Sequence, residues 1–145
     1  CSGSGVMSCE ALERGAKRVL AIEQDKKTAE ICKANLLSIS SSLRQNHSVK
    51  VICHEVVSLL KKGPKRVQLD QNQSACFDLV YLDPPYESEI YSLVLETLFE
   101  RSWLKENSLV ICEHSPSIDL QTPKHWSEID RRVYGNTALL IISPP

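Results

Sequence analysis

The sequence predicts an α/β fold whose mostly parallel sheet ends in an antiparallel hairpin. Two observations lead there. Short apolar runs at 18–22, 49–53, 77–82 and 108–112 alternate with stretches whose apolar residues recur at helical spacing. Such alternation implies a parallel sheet covered on both faces. Near the end, two strand-like runs, 127–134 and 137–142, flank Gly135-Asn136, a tight hairpin signal.

The elements follow in order. A first helix is expected from Gly5 to Arg14, stopped by Gly15. Arg18–Ile22 reads as a buried strand ending at Glu23, after which Asp25 can cap a helix running to about Leu43. Ala29, Cys32, Leu36 and Ile39 share one face of that helix. Val49–Cys53 is a second strand, Val56–Lys62 a short helix, and Gly63–Ala75 a polar surface loop. Phe77–Leu82 is a third buried strand, followed by a helix over Ser88–Arg101 with Tyr91, Val94, Leu95 and Leu98 inward. Ser108–Cys112 is a fourth strand, and the hairpin closes the fold. A glycine-rich turn normally follows a buried strand, and none precedes Cys1-Ser2-Gly3-Ser4-Gly5. The expectation is an N-terminally truncated domain over 1–145, its first strand lying before Cys1.

Composition narrows the class. A chain of 145 residues has the length of one domain. It contains no apolar run near the ~20 residues a membrane-spanning helix needs, and no signal-peptide pattern. The six cysteines are widely spaced without a C-x-x-C pair, which argues against a zinc or redox motif. Those in apolar runs, such as Cys53 and Cys112, are expected to be small buried hydrophobes in a cytoplasmic protein. The net charge of −1 counts mildly against a nucleic-acid partner, although Lys61-Lys62, Lys65-Arg66 and Arg131-Arg132 form local basic clusters. Such clusters are more often solvated surface than phosphate sites.

In open α/β sheets ligands bind beyond the carboxyl ends of the strands. Three polar signatures fall there. Gly3-Ser4-Gly5 has the composition of a turn whose backbone amides can approach a ligand. It is weak alone, because Ser8 stands where a full dinucleotide fingerprint has a third glycine. Glu23 lies about 20 residues further on, where an acid can accept from both ribose hydroxyls of an adenosine cofactor. This suits AdoMet as well as NAD, and a plain strand-end carboxylate equally. Asp83-Pro84-Pro85-Tyr86 is the decisive signature. The prolines stiffen the chain and leave carbonyls free to accept. Asp83 adds a carboxylate acceptor, and Tyr86 a ring that can stack on a base. An exocyclic amino nitrogen is a poor nucleophile because its lone pair is delocalised. Acceptors aimed at its hydrogens favour the tetrahedral nitrogen that attacks a methyl group.

Gly3-Ser4-Gly5, Glu10-Ala11-Leu12-x-Arg14-Gly15-Ala16, Ile22-Glu23, Asn35-Leu36 and Asp83-Pro84-Pro85-Tyr86, in this order, resemble the RsmD family. These are bacterial methyltransferases of guanine N2 in 16S ribosomal RNA, and the resemblance spans essentially the whole chain. It implies a Rossmann-like, class I AdoMet-dependent methyltransferase fold. Gly3, Ser4 and Gly5 would lie beside the methionine portion of AdoMet, Glu23 would hold the ribose, and Gln24 would lie near the adenine. Glu55 sits where the family often has an adenine contact. Asp83 and the Pro84 carbonyl would bind the amino group, next to the cofactor, with Pro85 completing the turn and Tyr86 stacked on a flipped guanine. The family's first strand, an acidic residue near its end and a basic RNA-gripping segment would lie before Cys1. The implied partner is small-subunit ribosomal RNA, met by a monomer without metal or membrane.

Other readings are a DNA adenine-N6 methyltransferase, a nicotinamide-dependent oxidoreductase and a non-catalytic RNA-binding or assembly module. The 13-residue loop before the third strand is short for a DNA target-recognition insertion. The oxidoreductase leaves Asp83-Pro84-Pro85-Tyr86 without a task, and a protein glutamine methyltransferase more usually has Asn at position 83.

Overall fold

The computed structural model describes residues 1–43, 47–67, 76–85 and 88–145. They fall into two compact units. The first holds Cys1–Leu59 with Val67; the second holds Leu60–Arg66 and, from position 76, the rest of the chain. Tyr86 lies outside the described residues, as do positions 68–75 of the expected loop.

In the first unit, α1 (Val6–Glu13) starts at Gly5, which takes a left-handed φ of 84°. It ends as the Glu-Arg-Gly-Ala sequence predicts. The amide of Ala16 donates to the Ala11 carbonyl and that of Gly15 to the Leu12 carbonyl, both at 2.9 Å. Gly15, at φ 97°, supplies the left-handed residue that this paired C-terminal closure requires. Then come β1 (Arg18–Glu23), α2 (Lys26–Ser42) and β2 (Ser48–Cys53). Asp25 caps α2 by accepting from the Thr28 amide at 2.8 Å, a contact typically worth about 1 kcal/mol. The two strands pair in parallel from Arg18↔Ser48 to Glu23↔Cys53. Leu12, Val19, Ala21, Cys32 and Leu36 form the core beneath them. Leu36 is completely buried, so Leu36→Ala should cost about 2–5 kcal/mol through lost transfer energy and a cavity.

After α3 (Val56–Leu60) and a 3₁₀ turn at Pro64–Val67, the second unit contributes β3 (Phe77–Leu82), α4 (Ser88–Glu100), β4 (Leu104–His114), β5 (Ser127–Tyr134) and β6 (Thr137–Ser143). The sheet order is β3-β4-β6-β5. β3 and β4 are parallel, while β6 pairs antiparallel with both β4 and β5. Tyr91, Val94, Leu95 and Leu98 are buried along α4, as their spacing predicts. Trp103 is buried, stacks on Phe77 and donates its indole N–H to the Leu60 carbonyl at 2.8 Å. No helix among the described residues is long and apolar enough to cross a membrane.

Two expectations are corrected. β4 begins at Leu104 rather than Ser108. The polar Lys105-Glu106-Asn107 stretch hides its start, because the β3–β4 register shifts between Phe77 and Leu79 and Asn107 takes a positive φ of 62°. Cys53 is exposed at the end of β2, unlike the fully buried Cys112. Cys53 still pairs with Glu23, but no residue of β2 is fully buried, and at its last position nothing covers the side chain, however apolar the run before it. All six cysteines are free.

Candidate active site

The glycine turn of the first unit is built around Glu23. Although its residue is buried, the carboxylate is well supplied with donors. One oxygen accepts from the amides of Gln24 at 2.9 Å and Asp25 at 3.1 Å. The other accepts from the amide of Gly3 at 2.9 Å and lies 3.2 Å from the amino group of Cys1. Burial raises the Glu23 carboxyl, but the hydrogen bonds from the Asp25 and Gly3 amides lower it, and it lies below the ordinary value. The group therefore stays ionised. Strand β1 thus delivers a carboxylate that fixes the turn.

The turn is tied at two further points. The Ser2 amide donates to the Ile22 carbonyl at 3.0 Å, and the Asn35 amide group of α2 donates to the Ser4 carbonyl at 2.9 Å. Gly5 packs against Cys32 so closely that a Cβ there would lie 2.7 Å from its sulfur. Gly3, at φ 52°, has open space where its Cβ would be. Glycine at 5 therefore serves packing, whereas at 3 it leaves an exposed, unobstructed backbone. Gln24 is exposed beside this turn. Glu55 has another employment: its two oxygens accept from the Val57 amide at 2.8 Å and the Ser58 amide at 2.7 Å, capping α3. Asn35 gained no role from sequence spacing alone, since only the fold reveals what it reaches.

In the second unit, β3 ends at Leu82 and delivers Asp83 to the surface. Pro84 is buried and Pro85 exposed, so the turn is anchored at its first proline. Among the described residues none donates a hydrogen bond to the Asp83 carboxylate. Partial burial raises its pKa, and the charge of Glu113 raises it further.

Glu113 was not singled out by sequence reasoning. The β3–β4 register runs through Leu82↔Cys112, and continued by one residue it sets Asp83 alongside Glu113. Residues two apart on a strand share a face, so Tyr81 lies on the Asp83 side. Its hydroxyl donates to a Glu113 carboxylate oxygen. Burial, and then this bond and the neighbouring carboxylates, keep the phenol protonated by raising its pKa. The Tyr91 hydroxyl from α4 donates to the Glu113 backbone carbonyl at 2.5 Å. The available signal was an acid directly after the buried Val110–Cys112 run, the same arrangement as Asp83 after β3.

Residues 1–143 match the family described as conserved hypothetical protein 95. Ribosomal RNA small subunit methyltransferase D of Haemophilus influenzae is 34% identical over 134 residues, covering 92% of this chain and 64% of that protein. The protein of the same name from Buchnera aphidicola (subsp. Acyrthosiphon pisum) is 25% identical over 132 residues, covering 91% and 62%. The chain thus spans less than two thirds of the length of either relative. A crystal structure of an H. influenzae methylase superposes with a TM-score of 0.77 at 31% identity, covering 97% of this chain and 74% of that one.

Proposed function

This chain belongs to the conserved hypothetical protein 95 family, the RsmD family it resembles in sequence, and from that premise we propose that it methylates the N2 amino group of a guanine in 16S ribosomal RNA. The methyl donor is AdoMet, and the whole of 1–145 serves as the catalytic domain of a cytoplasmic, monomeric enzyme. The observation that carries the reading is Asp83, an exposed carboxylate acceptor just past β3, a strand buried only at its last residue Leu82 and not throughout as its apolar run suggests, and held by a stiff Pro84-Pro85 turn.

The residues of the first unit fit the cofactor. AdoMet supplies an electrophilic methyl group on a sulfonium. The open backbone at Gly3 leaves room for the methionine portion beside Ser4 and Gly5. Three amides take three of the roughly four acceptor positions of the Glu23 carboxylate. A ribose hydroxyl would donate to the Glu23 oxygen that also accepts from Gly3. Gln24 would lie toward the adenine. Glu55, with both oxygens engaged at α3, would act there through its backbone neighbourhood rather than as a free carboxylate.

Asp83 and the Pro84 carbonyl would accept from the two amino hydrogens, favouring a tetrahedral nitrogen as its lone pair attacks the methyl carbon. The positive charge that develops on nitrogen appears only in the transition state, where a preorganised acceptor contributes most. The N–C bond would form as the methyl C–S bond breaks, leaving the sulfonium as a neutral thioether, and one N–H proton would pass to the Asp83 carboxylate or to water to give the neutral methylamino product. Tyr86 would stack on the flipped base, a contact worth about 1–3 kcal/mol.

The test uses the full-length protein and tritiated AdoMet, with small-subunit ribosomal RNA or its assembling particle and duplex DNA as substrates. Digestion to nucleosides should place the label in N2-methylguanosine, with none in DNA. Label in N6-methyladenine of the DNA would reverse the assignment. Calorimetry should show binding of AdoMet and none of NAD.

A further inference from the structure

We infer that Glu113 selects guanine over other purines by accepting from the N1–H of the base whose amino group Asp83 engages. The inference rests on the methyltransferase reading and adds a residue that the family's motif does not include.

The argument starts from the two strand ends. Strands β3 and β4 are adjacent and parallel, in register at Leu82↔Cys112, with a spacing of about 4.8 Å; Asp83 directly follows β3 and Glu113 is the penultimate residue of β4. Their side chains leave the same face, opposite to the buried Leu82 and Cys112. Continued by one residue, the register sets Asp83 beside Glu113 on the neighbouring strand, and the charge of Glu113 acts on Asp83. Glu113 is also fixed in place. Tyr81 holds one carboxylate oxygen and Tyr91 holds the backbone carbonyl, while the second carboxylate oxygen can accept another donor. The residue is only partly buried, so a ligand can reach it.

A side-by-side pair of acceptor-only groups reads a particular base edge. Guanine presents N1–H and N2–H₂, which are all donors. Adenine and 2-aminopurine present a lone pair at N1, which an oxygen acceptor cannot satisfy and repels. A site built to receive a donor rejects an analogue that lacks it far more strongly than a hydrophobic pocket could. Tyr81 keeps its proton and donates it in a hydrogen bond to Glu113 rather than competing for the base.

The test is a specificity ratio in the full-length protein. Wild type first locates the methylated nucleotide; RNA carrying guanine or 2-aminopurine at that position is then compared by kcat/KM. Wild type should favour guanine by about ten-fold or more. Glu113→Gln keeps the shape and an oxygen for Tyr81, but its amide can turn an N–H toward the N1 lone pair. The guanine rate should fall and the ratio should collapse toward one, with AdoMet affinity by calorimetry unchanged. Glu113→Asp should retain the preference with a lower rate. A merely structural role would lower both substrates equally, and a ratio unchanged in Glu113→Gln overturns the inference. If wild type itself makes no N2-methylguanosine, the methyltransferase assignment fails instead.

Discussion

Replacing Glu23 with alanine should damage the folded protein before it damages any chemistry. The carboxylate receives three backbone amides, from Gly3, Gln24 and Asp25, at 2.9–3.1 Å. Hydrogen bonds to a charged acceptor contribute roughly 1.5–3 kcal/mol each when well shielded. These amides belong to residues that are exposed, so water replaces part of the loss and about 1 kcal/mol each is the better figure. The expected destabilisation is about 3 kcal/mol, which for a chain of this size lowers Tm by about 6–12 °C. Glu23→Gln should recover only part of it, because its NH₂ must face a backbone N–H. The folded pKa of Glu23 lies below its unfolded value, so this stability is present above the ordinary glutamate range. It is lost as pH falls through the depressed folded value. Thermal unfolding followed by circular dichroism across pH provides the assay. The variant's Tm deficit should be full at neutral pH and shrink in acid. A Glu23→Ala protein melting within 1–2 °C of wild type at pH 7, as from a loss well under 1 kcal/mol, would show that the bonds to the turn carry no net stability.

Gly5→Ala should destabilise by about 2–4 kcal/mol, since it adds left-handed strain to a 2.7 Å approach to Cys32. Gly3→Ala should cost only about 1–2 kcal/mol yet weaken AdoMet binding at least as much, as calorimetry would show. Asp83→Ala should slow single-turnover methyl transfer on the order of 100-fold with AdoMet affinity little changed; a rate within a few-fold of wild type would remove Asp83 from the chemistry. Asp83 titrates above its ordinary value in the folded state, so its folded form gains from the protonated carboxyl. That advantage holds below the ordinary carboxylate range and disappears as pH rises through the folded value. Asp83→Asn should therefore melt higher than wild type at neutral pH, with the gap closing in acid.

The secondary structure was legible wherever one local signal decided it. The glycine closing α1, the Asp25 cap, the run of β3 and the Gly135-Asn136 hairpin all act within a few residues, so their physics is written in sequence order. The D-P-P turn was legible for the same reason, because proline restricts itself and its neighbour. β4 was read too short because a bulge takes its twist from the partner strand, and polar residues on an open face break the apolar pattern.

The sequence by itself determined which residue types stand at the turn and the strand ends: glycines ahead of α1, Glu23 closing β1 and Asp83 directly after β3. Only the tertiary structure decided what those side chains do with their hydrogen bonds. Glu23 spends most of its acceptor capacity on backbone amides, two from its own strand end and one from a residue 20 positions earlier. Glu55 caps a helix, and Cys53 is exposed where its apolar run suggested burial. Glu113 joins Asp83 through a register that no single segment encodes. Local backbone preferences depend on adjacent residues and can be read along the chain. Whether a carboxylate also meets a distant amide or a phenol depends on residues 20 to 32 positions away, which only folding brings within hydrogen-bonding distance.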